Sequence, residues 1–455
     1  MSSQLPQLEE NLGRFKTERF AVLQAARDYF LASQNSKTFI PGETYIPVTT
    51  KVVDSNDLTF LIDASLDLWL TAGRYAREFE SKIPTYFGRK TSGLLVNSGS
   101  SANLVAISSL GAPMMEDFKM KPLDKGAEVI TAAAGFPTTV NPIIQNGWIP
   151  VFVDVDLNTL NATPEAVMAA RTPKTRAVVL AHTLGNPYRS DQLAEWCKKE
   201  GLYLIEDCCD ALGATINEAP VGSFGDYATL SFYPAHHITM GEGGVVISRD
   251  GRLKRVAESM RDWGRDCWCE PGQDNTCGKR FDWTLGQLPC GYDHKYTYSN
   301  IGYNLKVTDM QAAVGLSQLD KLPKFIEARR KNWKKLYEGI QNSPVLKEDL
   351  SPALPTQGTN PSWFGFPLHC SDRIHRDRLV RTLEEKKIGT RLVFGGNLTK
   401  QPAYRNVQYL ISGSLSATDQ IMAKSFWIGV HPALEDAHIH YMLDQLEKTV
   451  KLCKV

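Results

Sequence analysis

Two groups of side chains in this sequence could do chemistry. The first is Asp207 together with Ser231-Phe232-Tyr233-Pro234-Ala235-His236-His237-Ile238-Thr239-Met240-Gly241-Glu242-Gly243-Gly244. A carboxylate, a hydroxyl and an imidazole brought to one place can bind an anionic ligand and move a proton. The second is Cys209, Cys267, Cys269 and Cys277, spaced Cys-x57-Cys-x-Cys-x7-Cys. Thiolates select zinc or iron-sulfur clusters, and four of them suit either a tetrahedral zinc or a 2Fe-2S centre. The Cys-x2-Cys pairs of zinc knuckles are missing, which weakens zinc, but spacing leaves both open, with Cys208 an alternative to Cys209. Cys197, Cys290, Cys370 and Cys453 stand in unrelated contexts and are expected to be ordinary buried or half-buried thiols.

These residues must be positioned by an alternating fold. From about Asp57 to Leu319, short apolar runs (Leu94–Val96, Glu128–Ile130, Ile149–Val153, Ala177–Leu180, Tyr203–Ile205, Gly244–Ile247) alternate with helical patterns. That alternation predicts an α/β domain with a mostly parallel sheet and crossover helices. Leu94-Leu95-Val96 runs into Asn97-Ser98-Gly99-Ser100-Ser101-Ala102-Asn103, a strand, a small-residue turn and a helix start. Backbone N–H groups there suit a phosphate, and a plain serine cap is the bland alternative. Asp207 falls at the carboxyl end of a strand, where open α/β sheets bind ligands. There it could meet a pyridinium nitrogen or act only as a cap.

The chain divides on this reading into an N-terminal helical segment (1–56), a large domain (57–320) and a smaller α+β C-terminal domain (321–455). Helical spacing predicts an N-terminal helix over Leu8–Leu31, a long helix over Thr308–Tyr337 and a closing helix over His438–Leu452. Strands are expected at Trp363–Pro367 and Arg391–Phe394. The loop Gly264–Gly291, rich in Cys, Gly, Asp and Asn, is long enough to carry function.

Bulk properties narrow the class. The 455 residues hold 51 Lys+Arg against 50 Asp+Glu, a formal charge of +1, so nothing favours nucleic acid or an anionic membrane. Met1–Phe20 has no apolar signal core and no stretch approaches a membrane span, so a cytoplasmic location is expected. Reduced thiols, not disulfides, follow for the nine cysteines.

Four separated segments in order carry a resemblance: the Ser100 turn, Asp207, Ser231–Gly244, and Gly302-Tyr303-Asn304-Leu305-Lys306-Val307-Thr308-Asp309-Met310-Gln311-Ala312-Ala313. Together they resemble the DegT/DnrJ/EryC1 nucleotide-sugar aminotransferases of pyridoxal-phosphate (PLP) fold type I. In that family a lysine five residues after the serine tethers the cofactor through a Schiff base. Here that position is His236, and no lysine lies between Lys199 and Lys254. An imidazole cannot form that bond. The cofactor is therefore expected to be held noncovalently as pyridoxamine phosphate (PMP), with His236 as the base.

The resemblance implies further roles. Gly99, Ser100, Ser101 and Ser231 would bind the cofactor phosphate, with Asn304 reaching it from a neighbouring subunit. Phe136 would stack on the ring, Asp207 would hold its nitrogen, and Asp210 would contact its phenolic oxygen or set the amine geometry. Within the family, the lysine replacement plus the cysteine spacing is similar to the 3-dehydrase branch, which begins 3,6-dideoxyhexose formation. That implies a CDP-linked 4-keto-6-deoxyhexose substrate, a 2Fe-2S cluster on Cys209, Cys267, Cys269 and Cys277, and a homodimer. A separate NADH-dependent flavin iron-sulfur reductase is also implied. Competing readings are a dehydratase with structural zinc and a lysine-less pseudoenzyme.

Overall fold

The computed structural model describes residues 16–34, 38–88, 91–269 and 271–454. Its centre is an eight-stranded sheet built from β1 (Ser92–Val96), β2 (Glu128–Ala132), β3 (Ile149–Val153), β4 (Thr175–Ala181), β5 (Tyr203–Asp207), β6 (Tyr227–Ser231) and β7 (Gly244–Ser248). The short β10 (Leu410–Ile411) completes it. The strand order is β1-β7-β6-β5-β4-β2-β3-β10. Only β7 runs against its neighbours, pairing antiparallel with β1 and β6, while the other pairs are parallel. Runs such as Ile-Pro-Val-Phe-Val in β3 and Gly-Val-Val-Ile-Ser in β7 are buried along most or all of their length, as expected of strands covered on both faces.

Polar chemistry collects where strands give way to helices. After β1 the chain turns through Ser98, whose Oγ accepts the Ser101 N–H at 3.1 Å and starts α4 (Gly99–Ser109). After β2, Phe136 precedes α5 (Pro137–Gln145). Upstream of the sheet, α1 (Lys16–Ser33), α2 (Ser55–Leu66) and α3 (Arg74–Lys82) pack beside α6 (Asp309–Leu319) or one another. The part of the expected N-terminal helix before Lys16 lies outside the described residues.

The smaller unit is a three-stranded antiparallel sheet of β8 (Leu350–Pro352), β9 (Gly365–Cys370) and β11 (Ser425–Gly429), with β9 central. It shares an apolar cluster with Ile439, Met442 and Leu446 of α8 (Asp436–Leu452). One apolar cluster runs from Val178 and Leu204 of the large sheet through Leu336 to Phe366 and Phe426 of the small one. The two units therefore share a core, and motion between them disturbs it.

Three expectations are corrected. The long helix splits at Asp320-Lys321 into α6 and α7 (Leu322–Asn342). Pro323 explains this, since its missing N–H and its ring both oppose continuation from the preceding turn. Arg391–Phe394 is not a strand. Arg391 makes one bridge with Trp427, and Phe394 turns into the left-handed region at φ 47°. The strand expected from Trp363 begins at Gly365. Among the described residues no helix is long and apolar enough to cross a membrane. The Gly264–Gly291 loop contains no helix or strand among its described residues and is tied down by Arg265 pairing with Tyr298.

Candidate functional site

The start of α4 lies close against the end of β6. Gly99 is buried against Ser231: a Cβ there would lie 2.3 Å from the Ser231 Cβ, so only glycine lets the helix start approach the end of β6. The contact puts the Ser231 hydroxyl beside the first turn of α4, whose backbone N–H groups and dipole favour an anion. Ser100 is exposed at this end. The Ser101 hydroxyl is engaged locally, donating to Asn97 Oδ1 at 2.6 Å.

Asp207 closes β5 and is 5 % exposed. Its Oδ2 accepts Asn103 Nδ2 at 2.8 Å and Thr139 Oγ1 at 2.7 Å, and its Oδ1 accepts the Cys209 N–H at 3.1 Å. Among the described residues Asp207 makes no ion pair. A buried carboxylate with only neutral donors is suited to a further, positively charged one, as a protonated pyridine ring would supply.

His236 follows β6 in the turn Tyr233–His236, closed by its N–H donating to the Tyr233 carbonyl at 2.9 Å. Its Nδ1 is 3.3 Å from Asp210 Oδ1. Burial pushes the Asp210 carboxyl up from its ordinary range, with Asp207 adding to this and His236 and Arg329 opposing it. Phe364 packs on the imidazole at 5.1 Å between ring centroids. Arg329, 1 % exposed on α7, donates from Nη2 to the His236 carbonyl at 3.3 Å and from Nη1 to the Trp363 and Phe364 carbonyls at 3.3 Å each. Burial lowers that guanidinium to about 10, against the pull of Asp210. The next residue, His237, is anchored instead, its Nε2 donating to the Ser362 carbonyl at 2.9 Å.

The remaining candidates are more dispersed. Phe136 is 51 % exposed beside Phe394, so one face is available to a ligand ring. Asn304 is on the surface with Oδ1 accepting Lys306 Nζ at 2.7 Å.

All nine cysteines are free thiols, and Cys290 is exposed, against expectation. Cys267, Cys269 and Cys277 line one cavity with Arg280, His294 and Lys295. Cys209 is not among the lining residues. It sits past β5, where burial and then Asp207 push its thiol well up. One compact triad of donors exists among the described residues, His182, Glu206 and Cys208. There Glu206 already accepts three backbone N–H groups, from Gly222, Phe224 and Gly225, so it is a structural clamp.

Sequence reading missed the Asp207 partners Asn103 and Thr139, although Asn103 stands in the turn it singled out after β1. It also missed Arg329, for which a single arginine in a helical pattern gives no signal, and Phe364.

The comparisons with known proteins agree on one family. A curated relative from Saccharopolyspora spinosa, dTDP-4-dehydro-2,6-dideoxy-D-glucose 3-dehydratase, is 51 % identical over 431 residues, covering 94 % of this chain and 91 % of its own. Lipopolysaccharide biosynthesis protein RfbH of Salmonella typhimurium is 50 % identical, covering 94 % and 97 %. The structure of E. coli GDP-4-keto-6-deoxy-D-mannose-3-dehydratase with bound hydrated PLP superposes with a TM-score of 0.78 at 28 % identity, covering 89 % of this chain and 100 % of that one. The fold is PLP fold type I. With its family model matched over residues 53–447, the chain belongs to the DegT/DnrJ/EryC1/StrS aminotransferase family.

Proposed function

We propose that this chain is a PMP-dependent dehydratase that removes the C3 hydroxyl of a nucleotide-linked 4-keto-6-deoxyhexose on the way to a 3,6-dideoxyhexose. The observation that carries this reading is His236 beside Asp210, in the turn after Ser231 where the family's tethering amine is expected. An imidazole there can take and return a proton but cannot hold the cofactor covalently. The names of relatives at 51 % and 30 % identity, both sugar 3-dehydratases, support the reaction class. Those names carry dTDP- and GDP-sugars, and CDP is taken from the resemblance of the sequence motifs.

The residues present fit the cofactor. Bound PMP would supply an amine for the keto group and a ring that stabilises negative charge. Asp207 would keep the ring nitrogen protonated, and the Gly99–Ser101 turn with Ser231 would hold the phosphate, joined by Asn304 from a second subunit in a homodimer. Phe136 would cover the ring face. His236 would then remove a proton from the cofactor methylene, with Asp210 holding the opposite edge of the imidazole so that Nε2 is presented.

Loss of the hydroxyl as water leaves a deficit of two electrons and two protons before the deoxy sugar is complete. A 2Fe-2S centre on Cys267, Cys269, Cys277 and a fourth donor, expected as Cys209, would carry those electrons singly from a separate NADH-dependent flavin iron-sulfur reductase. The thiol arrangement supports two irons over one zinc. The Cys-x2-Cys pairs of zinc knuckles are missing, and the Cys269 N–H donates to Cys267 Sγ at 3.4 Å.

The test is anaerobic purification with iron, sulfide and zinc analysis, then incubation with PMP and a CDP-4-keto-6-deoxyhexose in deuterium oxide. Solvent deuterium in the cofactor methylene, and C3-deoxy sugar only when reductant is added, are expected. Amino sugar formed from glutamate, or coenzyme fixed to the chain by borohydride, would overturn the reading.

A further inference from the structure

We propose that Asn103 and Thr139 are positioning residues that aim one oxygen of Asp207 at the cofactor's ring nitrogen, with Thr229 setting the direction of the Asn103 amide. The inference rests on the reading of Asp207 as the partner of that nitrogen, and assigns the residues that make it one.

A carboxylate offers about four lone-pair positions, two on each oxygen. On Asp207 three are taken: Oδ2 accepts Asn103 Nδ2 at 2.8 Å and Thr139 Oγ1 at 2.7 Å, and Oδ1 accepts the Cys209 N–H at 3.1 Å. Oδ2 is thereby filled, and the open position is on Oδ1. All three donors are neutral, so they fix the carboxylate in place and leave its charge for a cationic donor. The Asn103 amide is itself held, because its Oδ1 accepts the Thr229 hydroxyl at 2.6 Å. A turned amide would set its oxygen against the Asp207 carboxylate. Asn103, Thr139, Asp207 and Thr229 are all buried, so water does not replace a lost donor.

These donors come from the elements that carry the other proposed cofactor contacts. Asn103 lies on α4, one turn past Gly99, and Thr139 lies in the first turn of α5, just after Phe136. Thr229 stands beside Asp207 in the register of β5 with β6. One carboxylate oxygen therefore ties the phosphate turn and the ring-covering residue to a common point at the strand end. A shift of either helix turns the carboxylate as well as moving its own contact.

The test compares PMP with deaza-PMP, in which C–H replaces the ring nitrogen, by fluorescence titration of the full chain. Wild type should prefer PMP by about tenfold or more, as expected for a hydrogen bond to a charged group. Thr139→Val and Asn103→Leu should each lose most of that preference, and Thr139→Ser should restore it. If Asn103→Leu does not fold, Thr229→Val, which leaves the amide in place but frees it to turn, should lower the same ratio. A purely structural role for these side chains would weaken both ligands alike, and a ratio unchanged from wild type in Thr139→Val would overturn the proposal while leaving Asp207 as the nitrogen's partner. No preference for PMP in the wild type would reject that partnership, and the proposal with it.

Discussion

His236 and Asp210 are 3.3 Å apart, Nδ1 to Oδ1, with both side chains largely shielded from water. The imidazole thus has one edge facing a carboxylate and the other free to serve as a base. In the proposed reaction the carboxylate would fix ring orientation and stabilise the imidazolium once a proton is taken.

His236→Asn should keep PMP binding while slowing exchange of the cofactor methylene with deuterium oxide by roughly a hundredfold or more. Asp210→Asn, which leaves the base but weakens its support, should slow the same exchange by about ten- to a hundredfold. Mass spectrometry of released cofactor measures both. Equal exchange in wild type and His236→Asn would remove His236 from the proton transfer.

Gly99→Ala should damage the phosphate cradle specifically. The added methyl would meet both the Cβ of Ser231 at 2.3 Å and its Cα at 3.0 Å, so the turn and β6 must separate. A fall in PMP affinity of about tenfold or more, near 1.4 kcal/mol, is expected. Fluorescence titration with PMP reads it directly.

Arg329→Met should destabilise the fold by roughly 2–4 kcal/mol, because three buried carbonyls, those of His236, Trp363 and Phe364, lose their donor. Denaturant midpoints compare the variants. Arg329→Lys should recover only part of the loss, since an ammonium lacks the planar fork.

Acid should weaken the fold through His431. Burial holds this imidazole down at about 4, with Arg329 and His438 adding to the effect and the Pro47 carbonyl, which accepts from Nε2 at 2.9 Å, opposing it. The unfolded chain binds this proton at ordinary histidine pH and the folded chain does not. Stability is therefore complete above about pH 6.5 and declines as the pH falls toward 4, by up to about 3 kcal/mol. His431→Gln should flatten this part of a stability profile against pH. An unchanged slope would show that other groups dominate.

The alternation of apolar runs located six of the sheet strands because each buries a short apolar segment. β6 escaped notice, since Tyr-Ala-Thr-Leu-Ser carries too little apolar signal, although all five residues are buried. The polar network was harder to read for a different reason. Asn103 and Asp207 are 104 residues apart and Thr139 and Asp207 are 68 apart, and no local pattern reports a contact across such distances. Motif order pointed to His236 and Asp207 as parts of one site, but Arg329 and Phe364 become visible only when the small unit folds back. Among the thiols, Cys267, Cys269 and Cys277, close in sequence, line one cavity, while Cys209 lies past β5.

Arg329 sits on α7, downstream of the Pro323 break, and grips both the turn of the base and the entry to β9. The proposed acid–base group and the C-terminal sheet are thereby riveted to one guanidinium. Displacement of that sheet would carry the imidazole with it, and on the proposed mechanism proton transfer would report whether the two halves of the molecule are seated.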